Sequence, residues 1–367
     1  MRNSLVRSKW FLLVAAILGF TFLVGCSSGK ASSGKAGSEK KDTTAQKAPE
    51  KSAEDELAFF KDKTVTLIVP TAAGGGYDAY GRLLQPSLQK YLPGSTVIVK
   101  NVPGAGHIIG TNEIYSSKPD GLTFGIFNKG LITGQLAGLE GIKFDLKKMS
   151  FIANAASEPR LFAVSVKSPY NNIDDMKMGK AAKPVNMASA GPGSAAYSDA
   201  FMIQKIFNLN FKIVAGYDGG AADLAILRGE VDGQIQSFDS SRALLEQKAT
   251  RPILVVGTKK IPEVPDTPLI GDVAPADQKA LASLMANQAQ ISRPFAGPPG
   301  IPEARLKVIR DAFDKSFKDP ELLERAKTGK LPIEYMNGVD TQKAFMAALD
   351  QPQSVLDVVK TLNEPTK

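Results

Sequence analysis

The chain has 367 residues, 43% of them hydrophobic, and contains one cysteine, Cys26, and one histidine, His107. These counts exclude an internal disulfide framework, a Cys/His nucleophilic pair and a histidine-based metal cluster. The formal charge of +8, with 7% aromatic residues and no long Lys/Arg block, leaves no nucleic-acid footprint and suits an anionic ligand or an anionic envelope surface.

Arg2, Arg7 and Lys9 precede an apolar run from Trp10 to Val24. That run is shorter than the ~20 residues of a spanning helix and has the charge order of a signal peptide. It ends in Leu23-Val24-Gly25-Cys26, followed by Ser27-Ser28-Gly29, which resembles a bacterial lipoprotein signal. On that pattern residues 1–26 are the signal, Cys26 is lipidated, and the protein is extracytoplasmic and anchored to the cell membrane. An ordinary export signal is the alternative. Residues 27–57 are rich in Ser, Gly, Ala, Lys and acids without an apolar period, which predicts a flexible tether. The roughly 310 residues that follow exceed one ordinary core and suit two lobes.

The first globular element is a strand carrying Val65, Leu67 and Val69. It stops at Pro70 and is followed by a loop, Thr71 to Asp78, and a helix carrying Tyr80, Leu83 and Leu84. Three consecutive glycines, Gly74 to Gly76, let the backbone turn its N–H groups inward, and the helix start adds unpaired donors, so the loop is suited to an anion. The alternative is a plain strand-to-helix turn. Asn101 to Gly110 follows the next strand and opens another helix, but its spacing is GxGxxxG. The strand after it ends in Asn128, where a dinucleotide site needs an acid.

Further strands are expected at Val97–Val99, Thr123–Phe127, Phe151–Asn154, Phe162–Val166, Val185–Ala188, Lys212–Val214, Gly233–Gln236 and Ile253–Val256. Helices Ser194–Phe207 and Ala221–Arg228 lie between them. This alternation predicts α/β layers with largely parallel sheets. Lys118-Pro119-Asp120-Gly121 and Gly297 to Pro302 are structural turns. Ser189-Ala190-Gly191-Pro192-Gly193-Ser194 repeats the strand-loop-helix context of the first loop and supplies hydroxyls and backbone donors. The C-terminal part reads as amphipathic helices at Pro302–Phe317, Asp319–Thr328 and Thr341–Leu362.

Taken in order, Pro70 to Asp78 with Arg82, Asn101 to Gly106, Lys118 to Thr123, Gly191 to Ser194, Tyr217 to Gly220, Leu227 to Gly233 and Gly297 to Pro302 resemble the solute-binding proteins of tripartite tricarboxylate transporters, the TctC or Bug family. The resemblance runs from about Phe59 to the C terminus. It implies a two-lobed α/β periplasmic-binding-protein fold with the ligand in the cleft. Lobe one would comprise residues 58–163 and 290–367 and lobe two residues 164–289, with crossovers near Phe162–Val166 and Gln288–Arg293. It also implies capture of a di- or tricarboxylate or related organic acid by lobe closure and delivery to integral membrane subunits. The chain would act as a monomer, with no catalytic residue, cofactor or metal.

The ligand-binding residues expected on this resemblance are Thr71, Gly75, Gly76, Tyr77, Asp78 and Asn128 from the first lobe. The second would supply Ser189, Gly191, Gly193, Ser194, Tyr217, Gly219, Gly220 and Asp239. Structural alternatives are that Asp78 caps its helix, Tyr217 packs at the hinge and Asp239 bonds a turn. Three positions depart from the family pattern. Thr71 stands where an aromatic residue is common, His107 where glycine is usual, and Asp218 where a base is frequent. An acid at position 218 would favour a ligand with an amino group or would lie in solvent, and His107 is expected to be structural or superficial. The rival readings are an exported enzyme and a sensory receptor feeding a kinase. Met187-Ala188-Ser189-Ala190-Gly191, the nearest approach to a hydrolase elbow, lacks the leading glycine of GxSxG.

Overall fold

The computed structural model describes residues 52–363. The signal segment, Cys26 and most of the expected tether lie outside the described residues. The last tether residues differ from expectation. Ala53–Ala58 is a helix whose capping box pairs the Ser52 side chain with Asp55, and the buried Glu56 carboxylate sits 2.6 Å from Arg305 Nε. Local capping and a buried ion pair override the tether-like composition there.

Eleven strands form two sheets among the described residues. They are β1 (Thr64–Val69), β2 (Thr96–Asn101), β3 (Thr123–Ile126), β4 (Ser150–Asn154), β5 (Arg160–Ser165), β6 (Val185–Ala188), β7 (Phe211–Val214), β8 (Gly233–Ser237), β9 (Thr250–Val256), β10 (Pro294–Gly297) and β11 (Met336–Asn337). The first sheet has the order β11-β4-β10-β3-β1-β2 and the second β7-β6-β8-β5-β9. Both are mixed rather than largely parallel. β1 runs parallel to β2 and β3, but β10 is antiparallel to β3 and β4; β6 runs parallel to β7 and β8, but β5 is antiparallel to β8 and β9. Apart from the two-residue edge strand β11, antiparallel to β4, the antiparallel members are the strands by which the chain enters the second sheet and returns to the first, so each arrives against the direction set by the βα units around it.

The two passages between sheets run side by side. Ala155 N–H donates to Arg293 O at 3.0 Å, Ser292 N–H to Ala156 O at 3.1 Å, and Glu158 N–H to Ala289 O at 3.0 Å. The outgoing passage therefore precedes β5. Phe162–Val166, the expected exit, falls within or just beyond a strand that pairs with β8 and β9, and a boundary at residue 163 cuts through it.

Both faces of the first sheet are covered, which is why β1 is buried at successive positions. Val65, Leu67 and Val69 pack with Tyr80, Leu84 and Leu88 of the helix Gly76–Tyr91, while Ile68 faces Ile114, Phe127, Phe151 and Phe345. The second sheet is similarly packed, with Met187 and Ile235 against Phe201 and Ile203 of the helix Ala195–Phe207. The helix expected over Thr341–Leu362 is broken into Gly338–Leu349 and Gln353–Lys360. Pro352 has no N–H to continue the first ladder and starts the second helix instead.

Candidate functional site

A cavity of about 100 Å³ lies between the loops of the two sheets. Helix N-termini reach it from both sides. The helix Gly76–Tyr91 brings Gly75, Gly76 and Tyr77 from the first sheet, and Ala195–Phe207 brings Ser194, Ala195 and Ala196 from the second. Their first-turn N–H groups and the positive ends of their dipoles suit an anion. Ser194 caps its own helix, its Oγ accepting from Tyr197 N–H at 3.2 Å and donating to Gly191 O at 2.7 Å. Two other hydroxyls of the wall, Thr71 Oγ1 and Tyr77 OH, are buried with no protein partner. Burial raises the Tyr77 hydroxyl above its ordinary pKa although Arg293 pulls it down, so it remains a proton donor. Unpaired buried hydroxyls are costly unless something completes them.

Two arginines also reach the wall. Arg160, at the start of β5, pairs through Nε with Asp199 and donates through Nη2 to Ile235 O at 2.6 Å. Asp199 is fully buried on the helix Ala195–Phe207 and also lies 3.2 Å from Lys129 Nζ. Burial lowers the Lys129 ammonium to about 8 despite Asp199. Arg293, on the return passage, lies between the rings of Tyr77 and Tyr80, 4.9 and 4.8 Å from their centroids. Its Nη2 donates to Ser237 Oγ at 2.9 Å and to both Asp239 oxygens at 3.2 Å. Glu158 Oε2 is 2.9 Å from the same nitrogen without hydrogen-bond alignment, and Tyr80 OH donates to Glu158 Oε1 at 3.1 Å. Burial drives the Glu158 carboxyl up to about 8 against the pull of Arg293, with the Asp239 charge adding to the rise. Gly76 makes room for this arginine, since a Cβ there would lie 2.9 Å from Arg293 Nη2.

The loops of the two sheets touch through backbone. A Cβ on Gly193 would stand 2.5 Å from Gly106 O, and one on Gly75 would stand 3.0 Å from Gly219 Cα. A polar chain reinforces these contacts. Asn128 Oδ1 accepts from Gly130 N–H at 2.7 Å, which directs its Nδ2 to donate to His107 Nδ1. His107 Nε2 then donates to Asp218 Oδ1 at 3.1 Å. Asp218 also accepts from Ala72 N–H and Gly219 N–H, each at 2.8 Å. Burial alone would raise the Asp218 carboxyl, but His107 and these two N–H groups outweigh it and hold it below the usual carboxylate range.

Of the residues expected at the site, Thr71, Gly75, Gly76, Tyr77, Asn128, Ser189, Ser194, Tyr217 and Gly219 line the cavity. Five stand off it. Asp78 faces away, accepting from Gly74 N–H, Arg82 Nε and Asn101 Nδ2, so its carboxylate fastens the loop. Gly191 and Gly193 make the backbone contact with Gly106 behind the wall. Gly220 caps the helix Ala221–Arg228. Asp239 holds Arg293 by ion pairing. His107 is buried, which leaves the structural of its two expected readings. Asp218, partly exposed, accepts from three donors, which corrects the reading of it as a free partner for an amino group. Arg160, Arg293, Gln234 and Gln236 line the cavity without having been expected. A single arginine beside a proline, as in Pro159-Arg160 or Arg293-Pro294, carries no local signal.

Two mixed α/β sheets joined by paired passages, with a cavity between their loops, are the architecture of periplasmic binding proteins. The solved structure of the periplasmic binding protein BugD superposes with a TM-score of 0.69 at 22% identity, covering 83% of this chain and 98% of that one. MatC from Rhodopseudomonas palustris, with bound malate, gives 0.67 at 20% identity over 81% and 99%. Residues 81–362 match the family described as tripartite tricarboxylate transporter family receptor, and the chain belongs to that family. Among its relatives is the UPF0065 protein of the tcbD-tcbE intergenic region of Pseudomonas sp. (strain P51), 23% identical over 74% of this chain and 79% of the relative.

Proposed function

We propose that this protein is an extracytoplasmic solute-binding receptor that captures a small carboxylate between two lobes and delivers it to membrane subunits of a tripartite tricarboxylate transport system. The convergence of helix N-termini from both sheets on one cavity that Arg160 also reaches carries this reading. One lobe is built on the sheet of β1–β4, β10 and β11, the other on β5–β9, and the paired passages act as the hinge. The site residues are the cavity-lining members of the expected set together with Arg160. The chain remains at the membrane through lipid on Cys26, and malate bound in MatC supports a small organic acid as ligand class.

The test begins with Cys26→Ser, which is expected to move the protein from the membrane fraction to the soluble fraction. The released protein is then titrated by calorimetry with organic acids, amino acids, sugars and nucleotides. Carboxylate binding without product formation is expected. Retention at the membrane would remove the anchor, and binding of sugars or nucleotides alone, or turnover of an acid, would remove the receptor reading.

A further inference from the structure

The second sheet contributes two glutamines to the cavity. Gln234 and Gln236 alternate on β8 and so project from one face, and both line the cavity. Asp223, on the helix Ala221–Arg228, takes a hydrogen bond from each. Gln234 Nε2 donates to Asp223 Oδ1 at 2.7 Å and Gln236 Nε2 donates to the same oxygen at 3.3 Å. Burial raises the Asp223 carboxyl while the two amide donors oppose the rise. A carboxylate offers only acceptors, so each glutamine is obliged to turn its NH2 toward Asp223 and its Oε1 away. Among the described residues no protein donor reaches either Oε1. This wall therefore presents amide oxygens, acceptors that a bare carboxylate cannot satisfy.

We infer that the cavity selects a hydroxycarboxylate, whose carboxylate lies against Arg160 and the helix N-termini while its O–H donates to Oε1 of Gln234 or Gln236. The inference rests on the solute-binding reading above and adds the substrate class. An ammonium group would also donate to these oxygens. However, Arg160 and Arg293 stand on the same wall, and its one acidic side chain, Asp218, is engaged by three N–H donors. Asp223 is thus a positioning residue that sets specificity through the two amides, without a place on the wall itself.

Calorimetry with acids matched except for the hydroxyl tests this: L-malate against succinate, lactate against propionate, citrate against tricarballylate. In the unmodified protein the best hydroxy acid should bind at least about tenfold more tightly than its deoxy partner, because closing the cavity on the deoxy acid takes an amide oxygen out of water without giving it a donor. Aspartate should bind more weakly than malate. In Asp223→Ala the amides are free to turn, and the ratio should fall to within about twofold while the deoxy acid still binds, which shows that the cavity is folded. Gln234→Leu removes the acceptor directly and should lower the ratio in the same way. Equal affinity of a bound pair in the unmodified protein, or an unchanged ratio in both variants, overturns the hydroxyl inference alone. If no carboxylate of either kind binds, the receptor reading falls and this inference falls with it.

Discussion

The paired passages and the Gly-rich loops, two of the places where the sides of the molecule meet, differ in chemistry. At the paired passages, Arg293 is enclosed by Glu158, Asp239, Tyr77 and Tyr80, all packed so that its guanidinium is almost wholly buried. At the Gly-rich loops, glycine backbones lie against each other, and the polar additions, Asp218 with Ala72 N–H and with His107, are one or two hydrogen bonds deep. Beside them Lys129, which follows β3, pairs with Asp199 of the helix Ala195–Phe207 in full burial. A buried charge cluster is expensive to open, because each ion left unpaired carries its full desolvation cost. A backbone contact edged by a partly exposed carboxylate loses little on separation, since water replaces the partners. By the same measure the buried Lys129–Asp199 pair belongs with the passages; the difference assigns these to permanent structure and the Gly-rich loops to a contact that forms and breaks.

The sharpest way to break this contrast is Arg293→Met. The substitution keeps volume against the two tyrosine rings but leaves Asp239 buried without its cation. A loss of about 3–5 kcal/mol in urea unfolding is expected, measured without ligand. A loss below about 1 kcal/mol would show that the cluster is not structural and would place Arg293 wholly in the service of the cavity.

At the loops, Gly193→Ala adds a methyl whose close contacts, Gly106 O and Ile108 Cγ1, both belong to the first sheet's side of the cleft. Its backbone is not in the left-handed region, so the change is steric. Overpacking of this kind costs about 1–3 kcal/mol, or roughly tenfold to a hundredfold in ligand affinity if it falls on the closed state. The unliganded chain, free to stand open, should keep its melting temperature. An equal loss of stability without ligand would mean that the loop contact is as fixed as the passages.

This contrast could not be read from the sequence, although the elements that bear it could. The strands from Val65–Val69 to Ile253–Val256 were legible because β-branched runs bounded by Gly and Pro have little else to become. Both Gly-rich loops were legible because a strand-glycine-helix order is local. Arg160 and Arg293 were not, since only the folded passages bring Arg293 beside Glu158 across a separation of more than a hundred residues. The same holds for His107 and Asp218, 111 residues apart, whose partnership makes two odd positions into one feature. Asp78 shows the opposite limit. Its place in the first loop was clear, but whether its carboxylate faces the cavity or the loop depends on Asn101 and Arg82, which compete for it in three dimensions.

The smallest effect expected is at Glu158, and it separates charge from shape within the passage cluster. The folded protein raises this carboxyl from 4.5 to about 8, with burial the first cause. At pH values between those limits the folded state keeps the proton and the unfolded state releases it. Stability from this group is therefore complete below about pH 4.5 and falls as pH rises through about 8. Glu158→Gln preserves the neutral shape, so near pH 5 its unfolding free energy should lie within about 1 kcal/mol of the unmodified protein. By pH 8 the variant should equal or exceed it, because glutamine has no proton to lose. Urea unfolding at pH 5, 6.5 and 8 measures both slopes. Parallel slopes would show that Glu158 is already ionised beside Arg293, and the passages would then be held by a fully charged triad with Asp239. Convergence or crossing of the two curves would show one cation facing one anion, with a neutral carboxyl filling the remaining space.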